Sequence, residues 1–384
     1  MQLDPYLVRR LRAHRRYLLG QALGRLRRTA DGARALIAGI LSRPRAAASV
    51  AMPSSTPGGG TANGDLRPLT MTPVRSATRT PSEARARHRR AALAWDRDEL
   101  RNAGTPGPDV HIEEHQVDVP GYPAVRVRIY RPRADDRVLP AVLHFFGGAF
   151  RIGGIDYPTT DAGCRRRCAE ADIVVIAVDY ALAPEYRFPT QVEQAHAAWE
   201  WLVHGAASLR VDPGRLAVSG TSAGGAIAAA VTLMNRDRHR HPIALQVLEV
   251  PVTDLTGGHV DFAPTWRMGV PAMLVRRELR SIARTYLPRR DDARNPYASP
   301  LLAHDHSGLP PALILTAEYD NLRRDGAAYG AALREAGVDA TVVRYLGVGH
   351  DTPIYTGALP SARTWHAQIV TALRALHEAP THEA

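Results

Sequence analysis

From about residue 83 to residue 377 the sequence alternates between two patterns, and this alternation limits the fold more than any other feature. One pattern is a short run rich in Val, Ile and Leu: HIEEHQVDV, AVRVRIYRP, LPAVLHFF, DIVVIAVDY, RLAVSG, ALQVLEV, ALILTAEYD and ATVVRYL, in chain order. The last six show little polar alternation, as expected of strands covered on both faces. The other pattern has apolar residues at helical spacing: ARARHRRAALAWDRDEL, TQVEQAHAAWEWLV, AIAAAVTLMNRD, LVRRELRSIARTYL, RDGAAYGAALREAG and TWHAQIVTALRALH. Strand and helix in turn predict an α/β fold around a mostly parallel sheet. A stretch of this size suits one large domain.

The first 82 residues read differently. Residues 1–50 carry eleven arginines against Asp4 and Asp31, and Leu3, Leu7, Leu11 and Leu18 fall at helical spacing among them. This is the pattern of a cationic amphipathic helix, and two readings stand open: peripheral contact with an anionic membrane, or a solvated extension. Residues 51–82, with PSSTPGGGTANGD and further prolines, read as a disordered linker. The formal net charge of +11 is concentrated in this arm, and the chain beyond residue 100 is close to neutral, so nucleic acid is not expected as a partner. All the basic side chains are arginine, with no lysine anywhere.

ALIAGIL at residues 35–41 is interrupted by Arg43 and Arg45 and has too long a charged lead-in for a secretory signal. No apolar run approaches the roughly 18 residues of a membrane span. A cytoplasmic protein, peripheral to the membrane at most, is the expectation. Cys164 and Cys168 lie four apart on one face of an expected helix turn, where a disulfide is geometrically unfavourable, so free thiols are expected. No companion ligands give them zinc spacing.

The strand RLAVSG runs through Gly220-Thr221-Ser222-Ala223-Gly224-Gly225 directly into the helix AIAAAVTLM. A serine on such a strand–turn–helix corner adopts a strained backbone with its hydroxyl exposed, and glycines two before and two after remove side chains that would clash. Serine needs a base, and the base needs a carboxylate to orient it. In chain order these follow the serine, each after a buried strand. His350, in LGVGHDT, is the base expected, since His366 lies within a helix and His377 and His382 in the tail. Asp320, after ALILTAEY, is the first choice of acid. Asp254, after LEVPVT, is the runner-up, and Glu318 still belongs to its strand. Acyl transfer also requires backbone N–H donors for an oxyanion. Ala223 supplies one, and Gly147, Gly148 and Ala149 lie in the loop after LPAVLHF.

From roughly residue 85 to 375 the chain resembles the hormone-sensitive lipase family of α/β-hydrolases, in its bacterial esterase branch. The resemblance rests on FGGAF for the family's HGGGF, VDYALAPEYRFP for DYRLAPE-x-x-FP, DPGRLAVSGTSAGGAIAA for DPxRIAVGGDSAGG, YASPLLA, LTAEYDNLRRDG, and YLGVGHDT for GxxHGF. It implies an α/β-hydrolase fold with a central sheet of about eight strands and helices on both faces. It also implies Ser222 as nucleophile, Asp320 as orienting acid, His350 as general base, and Gly148, Ala149 and Ala223 as oxyanion donors. A helical cap is implied near residues 83–105 and 255–295 of a hydrolase domain spanning 83–384.

Five departures matter. Phe146 replaces the histidine that opens HGGG, leaving His144 within the strand, and Ala149 replaces the third glycine. Thr221 replaces the aspartate before the serine, while Asn321 and Asp351 replace a proline and a glycine. In the family the missing histidine supports the loop, so its loss implies an altered support rather than a lost proton carrier. The sequence thus reads as a serine carboxylic-ester hydrolase acting on short to medium acyl esters, with no cofactor or metal. Alternatives are a ligand-binding pseudoenzyme on the same fold, or an amidase or acyltransferase using the same triad. A small-molecule ester is the partner expected, and a homodimer is compatible with it.

Overall fold

The structure, a computed structural model, describes residues 2–10 and 82–378. Residues 5–10 are helical, and the rest of the basic arm and nearly all of the expected linker lie outside the described residues. Residues 2–4 belong with the main unit, where the Asp4 backbone N–H donates to Gly347 O at 2.8 Å.

One eight-stranded sheet carries the fold. Its strands are β1 (His111–Val117), β2 (Val125–Arg131), β3 (Leu139–Phe145), β4 (Val174–Val178), β5 (Val211–Thr221), β6 (Leu245–Glu249), β7 (Ala312–Tyr319) and β8 (Ala340–Gly349), in spatial order β1-β2-β4-β3-β5-β6-β7-β8. β2 runs antiparallel to both of its neighbours, and every pairing from β4 to β8 is parallel. The α/β-hydrolase sheet expected from the sequence is therefore present, strand for strand.

The helices are α1 (Glu83–Asn102), α2 (Pro158–Ala171), α3 (Thr190–His204), α4 (Ala223–Arg238), α5 (Ala263–Arg267), α6 (Ala272–Tyr286), α7 (Arg323–Glu335) and α8 (Pro360–Arg374). All residues of β3, β4 and β7 are buried, which is why those runs show no polar alternation. β8 departs from the expectation of cover on both faces: its first seven residues are half-buried or exposed, and Leu346 is 52% exposed. The reason is position, since β8 pairs with β7 alone and forms an edge of the sheet.

α4 is buried from Ala223 through Asn235. Its run of alanines lets the backbone sit close to the sheet, so the helix that follows the serine is one of the most firmly held. On α2, Cys164 and Cys168 are free and buried, and burial pushes both thiols up to about 12. They are core residues whose protonated form is inert. Among the described residues no helix is long and apolar enough to cross a membrane.

α1 is held by charge to the loops that follow β3 and β4. Arg85 and Arg89 both pair with the buried carboxylate of Glu185 at 2.6 Å, and Arg89 also donates to Arg151 O and Ala183 O. Glu185 belongs to the APEYRFP segment, so this motif anchors the helix that precedes the domain's first strand.

Candidate active site

Ser222, Asp320 and His350 are each the first residue beyond the C-terminal end of a parallel strand, β5, β7 and β8 respectively. This is the edge of an open α/β sheet where ligands bind. Ser222 has φ 56° and ψ −113°, a left-handed conformation costly for any residue with a side chain. Two glycines make it feasible. A Cβ on Gly220 would lie 2.1 Å from Gly224 O, and one on Gly224 would lie 2.1 Å from Phe145 O. The Ser222 N–H donates to Glu249 O at 2.8 Å, tying the corner to the next strand.

The structure brings the three side chains into one chain of hydrogen bonds. The Ser222 hydroxyl lies 3.0 Å from His350 Nε2, and His350 Nδ1 lies 2.8 Å from Asp320 Oδ2. Tyr319 and Gly349 are register partners on β7 and β8, so the acid and the imidazole leave adjacent strands side by side. The second oxygen of Asp320 accepts the Leu322 N–H at 2.9 Å, which fixes the carboxylate plane. Asp254 is engaged elsewhere, by Thr256, Gly258 and His259 in its own loop. Glu318 accepts from Gly347 N–H and from Arg267.

Burial pulls the His350 pKa down, but the Asp320 charge and hydrogen bond and the Asp351 charge outweigh it, raising the group to about 9. Asp351 is one of the departures from the family pattern, and its carboxylate adds to the stabilisation of the imidazolium.

The loop after β3 faces the serine. A Cβ on Gly148 (φ 142°) would lie 2.0 Å from Ile152 O, and Gly148 O accepts the N–H groups of Arg151 and Ile152. Among the described residues, no acceptor takes the backbone N–H of Gly148, Ala149 or Ala223. Such amides are what a developing oxyanion requires.

Ala149 and Phe150 both have positive φ, 54° and 60°. The alanine that replaces the third glycine thus stands where glycine would be unstrained, at a cost of roughly 1–2 kcal/mol. Ala149→Gly is expected to raise stability by up to about 1 kcal/mol, less than the strain because glycine also enlarges the unfolded ensemble. The urea midpoint measures it, and a lowered midpoint would rule out strain at this position.

The support for this loop is aromatic. The Phe146 ring stacks on Tyr180 with centroids 4.1 Å apart, and the Tyr180 hydroxyl donates to Phe146 O at 2.7 Å. A Cβ on Gly153 would run into the Phe146 ring, so the following turn closes tightly over it. His144 lies within β3, its Nδ1 2.9 Å from Ser219 Oγ. Burial and the neighbouring Arg167 charge hold its pKa well below the usual histidine value, so it is neutral and plays no part in the triad.

Beneath the serine lies a polar cluster that the sequence reading did not find. Glu249, fully buried at the end of β6, accepts from Arg167 at 2.6 Å, Trp365 Nε1 at 2.8 Å and Thr221 Oγ1 at 3.1 Å. Thr221 and Glu249 are register partners. Glu249 thus grips the strand–helix corner twice, by its backbone carbonyl at Ser222 and its side chain at Thr221. The signal in the sequence was an acid closing the apolar run ALQVLEV, which demands a buried cation.

Two clefts meet at Ser222 and Ala149. One, of about 500 Å³, runs beneath Trp95 of α1 and Val275, Leu279 and Ile282 of α6, past Phe146 and His350. The other, of about 1050 Å³, opens along α6 toward Leu287, with Arg276, Arg280 and Arg284 at its rim.

Comparison with known proteins agrees with this fold. The sequence profile of the family described as alpha/beta hydrolase fold matches residues 142–354. The chain belongs to the hormone-sensitive-lipase-like α/β-hydrolase family. This α/β-hydrolase is 41% identical over 254 residues to carboxylic ester hydrolase LipN of Mycobacterium tuberculosis, a match covering 63% of this chain and 64% of that protein. It is 35% identical over 288 residues to carboxylesterase NlhH of the same organism, covering 72% of this chain and 88% of that one. Among solved structures, the α/β-hydrolase superposes on EstE1, a thermostable carboxylesterase from a metagenomic library. The TM-score is 0.69 at 36% identity, over 76% of this chain and 97% of that one. An esterase from Pyrobaculum calidifontis gives a TM-score of 0.69 at 35% identity, over 76% and 94%.

Proposed function

We propose that this α/β-hydrolase is a serine carboxylic-ester hydrolase working through an acyl-enzyme. The observation that carries the reading is the unbroken hydrogen-bond chain from Ser222 through His350 to Asp320, set beside three backbone N–H groups that have no acceptor among the described residues. Ser222 Oγ attacks the ester carbonyl while His350 Nε2 takes its proton. The carbonyl oxygen, now negative, accepts hydrogen bonds from Gly148, Ala149 and Ala223. His350 then returns the proton to the departing alkoxide. Water attacks the acyl-enzyme by the same route, losing its proton to His350 and restoring the serine. Asp320 holds Nδ1–H and steadies the imidazolium throughout.

Helix α1 and the segment 255–295, which contains α5 and α6, act as the cap. Their apolar residues Trp95, Val275, Leu279 and Ile282 favour an acyl chain in the smaller cleft. A p-nitrophenyl ester series from acetate to palmitate tests this, with highest kcat/KM expected for short to medium chains. Hydrolysis of none of the series would overturn the reading.

The pH dependence follows from His350. Below its pKa of about 9 the ring is protonated and cannot accept the serine proton, so kcat/KM should rise tenfold per pH unit toward a plateau near that value. Asp351→Asn removes a charge that favours the protonated form. Its acid limb is expected to move to lower pH by roughly half a unit to one unit, with the plateau unchanged. A limb that moved upward would contradict the role assigned to Asp351.

A further inference from the structure

At the far end of α4 from the nucleophile, about 24 Å away at 1.5 Å per residue, the chain assembles four histidines around one glutamate. On α3, His196, Glu200 and His204 follow one another at intervals of four and share a helix face. The turn after α4 brings His239 and His241 against that face: His239 Nδ1 lies 3.9 Å and His241 Nε2 3.2 Å from Glu200 Oε2. His196 Nε2 lies 3.7 Å from Glu200 Oε1.

Two of these groups lack what burial demands. His196 is only 5% exposed, yet among the described residues its Nε2 has no hydrogen-bond partner, and neither has Glu200 Oε1. Buried polar atoms are ordinarily satisfied, and a facing imidazole nitrogen and carboxylate oxygen that are both unsatisfied lack a shared partner between them. Arg238, whose charge acts on His196, is already neutralised by two hydrogen bonds to Glu193 at 2.9 and 2.8 Å, so it does not supply that partner.

We infer that His196, Glu200 and His239 form a binding site for one divalent transition-metal ion of the zinc class. Their ligand atoms all lie within 4.8 Å of one another. Tetrahedral bonds of about 2.0–2.1 Å would place them roughly 3.3 Å apart, a closure within reach of side-chain rotation. Imidazole and carboxylate together suit zinc, cobalt or nickel rather than magnesium, which prefers all-oxygen sites. Glu200, His204 and His241 make a second, overlapping set. It is the weaker one, because His204 Nδ1 and His241 Nε2 are already engaged, with Glu200 O at 2.8 Å and Glu200 Oε2 at 3.2 Å. An ion in the first set would clamp the C-terminal half of α3 to the turn after α4, far from the reacting serine.

Titration of the metal-free full-length protein with Co²⁺, followed by its visible absorption, tests the site. One equivalent should bind, be displaced by Zn²⁺, and be untouched by Mg²⁺. Glu200→Gln and the exposed-site variant His239→Asn should each weaken binding at least about tenfold. His204→Asn and His350→Asn should leave it within about threefold. Loss of binding in His204→Asn but not His239→Asn, loss in His350→Asn, or no stoichiometric uptake by the wild type would each overturn the assignment.

Discussion

Replacing Ser222 with alanine is expected to lower kcat for ester hydrolysis on the order of a millionfold and to abolish covalent labelling by a fluorophosphonate. The size follows from what is lost. Without Oγ there is no acyl-enzyme, and neither His350 nor Asp320 has a group to activate, so their contributions vanish with it. What survives is binding and the N–H donors of Gly148, Ala149 and Ala223, which would still favour direct attack by water. Far-ultraviolet circular dichroism should match the wild type, because alanine fits the corner and α4 is buried around it. Unchanged labelling in Ser222→Ala would remove this serine from the mechanism.

The second large effect concerns the acid. Asp320→Asn should reduce kcat by about 10⁴, while Asp254→Asn should change it less than about tenfold. Asp320 Oδ2 accepts from His350 Nδ1, and an amide placed there can present N–H instead of an acceptor, forcing the ring toward the tautomer that cannot take the serine proton. Among the described residues the Asp254 carboxylate accepts only from Thr256, Gly258 and His259 in its own loop, so neutralising it leaves the bonds of Asp320 and His350 in place. The pH profile adds a separate readout. Removing the Asp320 charge should lower the His350 pKa and shift the acid limb of residual activity downward, which loss of structure alone would not do. Equal losses in the two variants would refute the assignment of Asp320 over Asp254.

Much of the site was legible before the fold was known because α/β chemistry is tied to chain position. A serine between Gly220 and Gly224 at a strand–helix corner has one physical reading, since the Cβ positions at both glycines collide with backbone. Asp320 and His350 could be placed after buried strands, but sequence alone kept Asp254 open, because both acids follow apolar runs. Only the pairing of β7 with β8, and Tyr319 with Gly349 within it, sets one acid beside the histidine.

The loop LHFFGGAF shows the same division. Its glycines announce close backbone approach, and Phe146 in place of histidine announces a changed support. That the support is a stack on Tyr180, thirty-four residues later, depends on β3 and β4 being parallel neighbours. The buried grip of Arg167, Trp365 and Thr221 on Glu249 was equally hidden, since its members come from α2, α8, β5 and β6.

By itself, then, the sequence determined the order of the strands and of the longer helices, the strained corner at Ser222 and the residue types available for acyl transfer, because periodicity, glycine sterics and side-chain chemistry act locally; the short α5 carried no such signal. The tertiary structure alone decided which acid lies against His350, what holds the loop after β3, and that His196 and Glu200 face His239. Those depend on which segments become neighbours. Neighbours are chosen by burial of the whole sheet, a free energy summed over contacts that no single stretch of chain contains.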